Sequence, residues 1–551
     1  MSNEVELTMT RATKGKLAST EFKTFKVQTK IDDFGNEERK IELHGEKLRS
    51  WLRDNVSIED IYDDLPVIHS YELFNVLDVI KARARRYDQL PLVKELVSFL
   101  EDENKQILGR IKNLTDKGQM SFGLLKSLFT PGTEIAIHGD ESMGGRVISA
   151  EYRNSFFGRH LQVNYEYIGT NGRTLLQCRT NVQIPAWNGL KEISKLPVLP
   201  MDPETKSRLT ARGAVFARVA IGAHYMSYQG HMQVKKWWNW DGMRSDGRIM
   251  TDPATYTQFK DEYNDREEED THLTEIDADR LWMTEPYIKG FSFSTKQWGR
   301  FAVNRVAPIE FRDDAFDQLV LAQDKKDLVR ALVTNGTGGF ADIISGKGGG
   351  CIFLLHGEPG VGKTLTAEAI AELLHRPLYS VSVGELGVST DDLEKNLRQI
   401  LDVAQIWNAV ILIDEADIFL EKRTSGDILR NAMVGIFLRL LEYHQGVLFL
   451  TTNRVKEFDS AFHSRISIAL KYGKLTREAR EKIWTNLLAA AGIEGLDPMV
   501  LSGTDINGRQ IKTTIRLAQG LASQQGVAVS ADHIRATLAV SQQFQQDLSE
   551  D

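Results

Sequence analysis

The sequence predicts a multidomain chain: an α/β core built on a parallel five-stranded sheet, an α-helical lid after it, and a helical segment followed by a β-rich N-terminal domain before it. Three observations carry this. The hydrophobic period switches from helical to alternating and back along the chain. Beyond residue 350, five short apolar runs alternate with helical segments, the pattern of a parallel sheet with crossovers. The final stretch is helical pattern almost throughout. The 551 residues allow roughly three or four domains of ~100–200 residues each.

Taken in order, residues 1–40 read as a flexible tail. The opening "MSNEVELTMTRATKGKLASTEFKTF" has no apolar core and is not a secretory signal. It is rich in Lys, Thr and Ser, but Glu4, Glu6 and Glu21 speak against a transit peptide. Residues 41–118 read as helical, because "YELFNVLDVIKARARRY" and "PLVKELVSFLEDENKQILGRIKNL" place apolar residues at three- and four-residue steps. Residues 119–310 read as β-rich. The runs "GTEIAIHG", "GRVISAEYR", "HLQVNYEYIG" and "TLLQCRTNVQI" alternate and are separated by Gly and Asn. A polar linker is expected near 241–280, with the acidic run "DREEED" at 265–270 as a solvated surface, since it lacks the spaced ligands and turn glycine of a calcium loop. In 311–475, apolar runs at 352–355, 378–383, 410–413, 447–451 and 466–470 give the strands of the α/β core. Residues 476–551 give the helical lid.

Composition narrows the function. At 42% hydrophobic and 26% charged the chain is an ordinary globular protein. Its net charge of −8 argues against a sequence-independent nucleic-acid binder, which needs a basic footprint. The two cysteines, Cys178 and Cys351, lie far apart and make neither a disulfide framework nor a metal site, so a reducing, cytoplasmic setting is expected. No apolar run approaches the ~18–20 residues that span a bilayer. "VKKWWNWDG", with Lys235, Lys236, Trp237, Trp238 and Trp240, has a composition that stacks bases, yet reads better as packing anchors or a protein-binding spot given the acidic balance.

The chemistry is carried by "GEPGVGKT": Gly357, Glu358, Pro359, Gly360, Val361, Gly362, Lys363 and Thr364, with Leu365 after it. It fits G-x-x-x-x-G-K-[ST] and stands between an apolar strand and a helix. The glycines let backbone N–H groups wrap a β-phosphate, Lys363 reaches β/γ oxygens, Thr364 ligates Mg²⁺, and the helix start adds its positive dipole end. About fifty residues on, "AVILIDEAD" ends an apolar strand in Asp414, placed to hold the metal's water shell, and Glu415, placed to polarise the attacking water. "GVLFLTTNR" ends a further strand at Asn453, suited to orienting that water from the other side. Arg465 precedes the last strand, and Arg509 opens a helix of the C-terminal module, from which it can reach back to phosphates.

These five features in this order resemble the AAA+ ATPase family, from about residue 313 to 540. The resemblance implies that Asn453 is the sensor-1 asparagine, Arg465 the arginine finger and Arg509 the sensor-2 arginine. It also implies strand order 5-1-4-3-2, a four-helix lid, adenine held near Asp342 and Ile344, ATP and Mg²⁺ as ligands, and a homo-oligomeric, usually hexameric ring. Within the family, "DIISGKGGGCIFLLHGEPGVGKTLTAE" and "FLTTNRVKEFDSAFHSRI" are similar to a large, mainly fungal group in which a β-containing domain of unknown function precedes the ATPase. Many relatives have Pro at 358 and Thr at 361, positions that give no side chain to phosphate. Many carry two arginines before the last strand, where Arg465 stands alone as in clamp loaders. The segment 383–392, "VGELGVSTDD", lacks the aromatic of the first central-pore loop, which argues against threading of unfolded chains. The expected activity is ATP hydrolysis to ADP and phosphate, used to remodel a protein client recruited by the N-terminal half. An ATP-gated scaffold with little turnover, or a nucleic-acid motor or clamp loader, are the alternatives.

Overall fold

A computed structural model describes residues 18–31, 37–56, 58–86, 90–156, 158–237, 239–260, 271–335, 350–387, 389–420, 427–442, 444–454 and 460–550. The chain divides into two compact units, Met1–Gly222 with Asp252–Lys289 and Arg300–Asn304, and Ala223–Thr251 with Gly290–Gly299 and Arg305–Asp551.

The first unit corrects the reading of a tail for residues 18–31 and 37–40, which are largely strand; residues 1–17 lie outside the described residues. Strands Ala18–Glu21, Phe25–Ile31, Glu37–Leu43 and Val67–His69 form an antiparallel sheet in sequential order. Phe25, Val27, Ile41 and Leu43 point inward onto Leu48, Leu52 and Leu96, while the intervening Lys, Gln and Glu face out. Two-residue periodicity makes the strand; the Lys- and Glu-rich outer face disguises it. A six-stranded sheet follows, in the order Val198–Pro200, Glu134–Ile137, Met143–Ser155, Gly158–Thr170, Leu175–Pro185, Thr271–Leu273. Its core is Phe122, Ile135, Val147, Leu161, Val163 and Ile184.

The expected linker near 241–280 is also corrected. Residues Asn239–Thr251 (β2) pair along their whole length with His224–Lys236 (β1), from His224↔Thr251 to Lys236↔Asn239, and Pro253–Lys260 is helical. The acidic run 265–270 lies outside the described residues. Trp237 stands at the hairpin tip, 92% exposed, and is no packing anchor; Trp238 lies outside the described residues. Tyr287–Ser292 (β3) pairs with β2 through Ile249↔Ser292, and Gln297–Ala302 (β4) continues the sheet.

The rest of the second unit is the α/β core. Gln323–Asn335 (α1) precedes Cys351–Gly357 (β5), and Lys363–Leu373 (α2) leads to Leu378–Ser382 (β6). Val383–Leu386 (α3) and Thr390–Ile406 (α4) come next, then Val410–Asp414 (β7), Ile428–Glu442 (α5), Val447–Thr452 (β8) and Ile468–Tyr472 (β9). All neighbouring pairs are parallel, in the order β6-β7-β8-β5-β9. Counted from β5 as the first strand, that is the expected 5-1-4-3-2. Both faces of the central strands are buried, which is why they read as unbroken apolar runs. One face packs on Phe316, Val329 and Ile370 of the α1 and α2 side. Arg477–Ala490 (α6), Gly508–Gln525 (α7) and Ala531–Glu550 (α8) make the helical module around Trp484, Ile511, Ile515 and Ile534.

After α5, His444 is 7% exposed, and burial, with Arg376 nearby, holds its imidazole down at about 4. The unfolded chain therefore binds this proton first. Stability is full above the ordinary 6.5 and is lost as pH falls from 6.5 to about 4, by up to ~3 kcal/mol. His444→Gln, which takes no proton, is expected to show a shallower loss in that window in urea unfolding at pH 7 and pH 4.5. An unchanged slope would remove His444 from the account.

Candidate functional site

The site grows from the C-terminal edge of the parallel sheet, where strand ends β5, β7 and β8 lie side by side. After β5 the chain must turn sharply, and two glycines make this turn possible. Gly357 has φ +148, and a Cβ there would stand 2.2 Å from the Tyr472 carbonyl oxygen. Gly360 has φ +78, and its Cβ would meet the Asn507 side chain at 2.7 Å. Gly362 then caps α2, which starts at Lys363. The Lys363 side chain turns back into the loop. Its Nζ donates to the carbonyls of Gly357 and Glu358 and to Asn453 Oδ1, each at 2.8 Å. Burial holds this ammonium below its ordinary range, while Asp414 and Asp417 pull it back up and Arg509 adds to the lowering.

Asp414, the last residue of β7, accepts a short hydrogen bond from Thr451 Oγ1 on β8. Thr364 Oγ1 lies 3.4 and 3.5 Å from its two carboxylate oxygens. Glu415 follows in the left-handed region at φ +55, its N–H donating to Thr451 Oγ1 at 3.0 Å. The next N–H, of Ala416, donates to the Thr451 carbonyl at 2.9 Å. A left-handed non-glycine residue persists only where its surroundings determine it, and such outliers cluster at functional sites. The tip of β8 is held in turn by Asp417. Its carboxylate accepts from Thr452 Oγ1 and, at 3.3 Å, from Asn453 N–H. Thr451, Thr452 and Asp417 set the aim of Asp414, Glu415 and Asn453, and no motif pointed to them. Asp417 is the fourth residue of "DEAD", and the pair Thr451–Thr452 ends β8; period-two facing was the one signal available.

The helical module closes on the same loop. Gly508 N–H donates to the Gly360 carbonyl at 3.0 Å, and Asn507 caps α7 by accepting from Gln510 N–H at 2.9 Å. Arg509, second residue of α7, thus stands where its charge acts on Lys363.

Residues 353–473 match the family described as ATPases associated with various cellular activities, AAA. The C-terminal half carries an AAA ATPase domain. Ahead of it, residues 110–205 match a domain of unknown function, DUF7025. The chain is 29% identical over 184 residues to ATPase family AAA domain-containing protein 3B of Homo sapiens, covering 31% of this chain and 28% of that protein. It is 34% identical over 145 residues to Fidgetin-like protein 1 of Drosophila melanogaster, covering 24% and 28%. It is 28% identical over 203 residues to a putative 26S proteasome regulatory subunit homolog of Methanothermobacter thermautotrophicus, covering 34% and 53%. The matched segments span about a quarter to a half of the curated relatives.

Within the AAA domain, Lys363, Thr364, Asp414, Glu415 and Asn453 converge on one loop, and Arg509 of the helical module acts on that loop by its charge. Glu358, Pro359 and Leu365 are exposed on its rim, and Val361 is half-buried. Arg465 does not join them. It lies after the turn Ser460–Phe462, donating to the Ala461 carbonyl at 2.9 Å and to Glu442 at 3.1 Å. Asp342 and Ile344 lie outside the described residues. Among the described residues no group of three or more His, Cys, Asp or Glu side chains could hold a metal. Thr364 and Asp414 offer a hydroxyl and a carboxylate close together, a hard-oxygen pair that fits Mg²⁺, which takes one or two protein oxygens and completes its shell with phosphate and water.

Proposed function

We propose that this chain binds ATP with Mg²⁺, hydrolyses it to ADP and phosphate, and uses the cycle in a homo-oligomeric ring to remodel a protein client engaged by the N-terminal half. The observation that carries this is the meeting of Lys363 with Asn453 beside Asp414 and the left-handed Glu415. Backbone N–H groups of the loop bind and orient the phosphates, and Lys363 neutralises their β/γ charge. Thr364 and Asp414 would hold the cation, which would supply charge neutralisation to the phosphates. Glu415 receives the proton of the attacking water, and Asn453 fixes that water's position. Arg509 brings a further positive charge from the helical module. The relative named as a proteasome regulatory subunit homolog supports a protein client, and the net charge of −8 favours this over nucleic acid.

The two acids separate by experiment. Glu415→Gln is expected to keep ATP affinity and lose at least ~10²-fold in turnover, because an amide cannot accept the proton. Asp414→Asn is expected to weaken Mg²⁺-dependent binding, because it removes charge from the metal's shell. Calorimetry with and without Mg²⁺, beside a phosphate-release assay, reads both. Identical defects in the two variants would refute the division of roles, and full turnover in Glu415→Gln would refute hydrolysis at this site.

A further inference from the structure

Neither family match covers residues 206–352, yet 223–251 and 290–299 belong to the same compact unit as the AAA domain. We propose that this β-sheet segment is a positioning element of the nucleotide site, with Arg248 fixing the far end of the phosphate-loop helix and Lys296 fixing the helix that follows β6. The proposal rests on the ATP-hydrolysing reading above.

Three contacts carry it, and all fall on the side of the AAA domain next to the edge strand β6. The first is on α2, the helix that begins with Lys363. Its penultimate residue is Glu372, and a carboxylate at a helix C-terminus opposes the helix dipole. Arg248 on β2 compensates it in fork geometry, Nη1 on one carboxylate oxygen at 2.7 Å and Nη2 on the other at 2.9 Å. The backbone N–H of Arg312 donates to the same carboxylate at 3.0 Å. Arg248 is itself held. It donates to Tyr225 Oη at 3.2 Å and lies over the rings of Phe311 and Tyr225 at 5.1 and 5.5 Å.

The second contact is Lys296, in the turn between β3 and β4. Its Nζ donates to both oxygens of Glu385 at 2.7 and 2.8 Å. Glu385 also accepts from Ser382 N–H at 2.9 Å, completing the capping box that starts α3. The third lies between the two ion pairs. Phe291, Phe293 and Trp298 from the sheet segment meet Tyr379 of β6 and Trp407, the C-cap residue that follows α4. Ring centroids are 5.3 Å apart for Phe291–Tyr379, 5.6 Å for Trp298–Trp407 and 5.8 Å for Phe293–Trp407. Aromatic anchors at the centre with charged pairs at the rim are the anatomy of a fixed interface.

The consequence for the site is mechanical. Only four residues, 374–377, join α2 to β6, so the contacts on Glu372, Tyr379 and Glu385 hold both ends of that connection. The phosphate-loop helix cannot tilt against β6 without breaking Arg248–Glu372. Arg248 touches no phosphate; it acts by keeping the axis of α2, and with it Lys363, in place.

The test uses the full chain, with ATP affinity from calorimetry and hydrogen exchange over residues 363–373. Arg248→Met keeps the length of the side chain and removes the fork. It is expected to weaken ATP binding about tenfold and to raise exchange across α2. Arg248→Lys keeps charge without the bidentate geometry and should fall between the two. A side chain that merely stabilised the fold would lower the melting temperature while ATP affinity stayed at the wild-type value. That result, or unchanged exchange over 363–373, overturns the proposal. Should Arg248→Met not fold, Lys296→Gln, at a part-exposed position, decides: raised exchange over 383–386 supports the element, and unchanged exchange there rejects it. Lys363→Ala in the same calorimeter isolates the underlying reading. If Lys363→Ala binds ATP normally, the ATP site is wrong; if it binds none and Arg248→Met binds like wild type, the positioning element is wrong.

Discussion

Lys363→Ala is expected to bind no measurable ATP. The side chain is 7% exposed, and its three donors are spent on the Gly357 and Glu358 carbonyls and on Asn453. It therefore does two things at once. It ties the start of the loop to the tip of β8, and it sets a positive charge at the base of the loop. Removing it takes this donor from two carbonyls and an amide oxygen and unties the loop from β8. It also removes the side-chain charge that, under the proposed function, neutralises the β/γ-phosphates. The depressed basicity imposed by burial does not weaken the argument, because Asp414 and Asp417 work to keep the ammonium charged. Calorimetry measures the affinity. Circular dichroism serves as the control for folding, and Lys363→Met, which keeps the apolar stem, separates loss of charge from loss of packing. Wild-type affinity in a folded Lys363→Ala chain would mean that the loop does not hold phosphate.

Arg465→Ala is expected to bind ATP nearly normally and to hydrolyse it ~10³–10⁵-fold more slowly, the contribution of an arginine supplied from a neighbouring chain in other phosphate-loop enzymes. The sheet register puts Arg465 out of reach of the loop of its own chain, and the proposed role is therefore on a neighbour. Strand β9 runs parallel to β5 with Phe353 opposite Ile468, and Ser467 N–H donates to the Ile352 carbonyl. Arg465 precedes that point, so it lies at the N-terminal edge of the sheet, while the loop follows Gly357 at the opposite edge. Five strand residues separate the levels of Ile352 and Gly357, roughly 17 Å at ~3.3 Å per residue. An arginine side chain does not span that. Its guanidinium instead rests on Glu442 and the Ala461 carbonyl of its own chain. Mixing decides the matter. Lys363→Ala subunits keep Arg465, and Arg465→Ala subunits keep a sound loop, so co-assembled they should regain activity that neither shows alone. Rings and subunit exchange must first be demonstrated for both. Dead mixtures despite exchange would reject the trans role or require every site to be intact.

How far the sequence could be read depended on where each residue does its work. The five core strands were legible because they are buried on both faces and so stand out as apolar runs. The loop was legible because glycines are needed where backbone meets backbone, as Gly357 meets Tyr472. The strands between Ala18 and Leu43 were not, since only one face is buried and the other carries Lys, Gln and Glu. The hairpin strand β2 failed for a related reason: Gly242, Gly247 and exposed charged residues along Asn239–Thr251 look like linker composition. Asp417, Thr451 and Thr452 escaped because they act through hydrogen bonds to their neighbours. Arg248 and Lys296 escaped because their partners are 124 and 89 residues away in the chain.

The left-handed backbone at Glu415 has a consequence for stability. Holding a side-chain-bearing residue in that region costs ~1–3 kcal/mol, a large fraction of a typical domain's net stability. Glycine carries no such cost at a positive φ. Replacing Glu415 with glycine is therefore expected to relieve that cost, with asparagine as a weaker substitute. Under the proposed function, residue 415 is a place where activity and stability pull in opposite directions, and glutamate there favours activity.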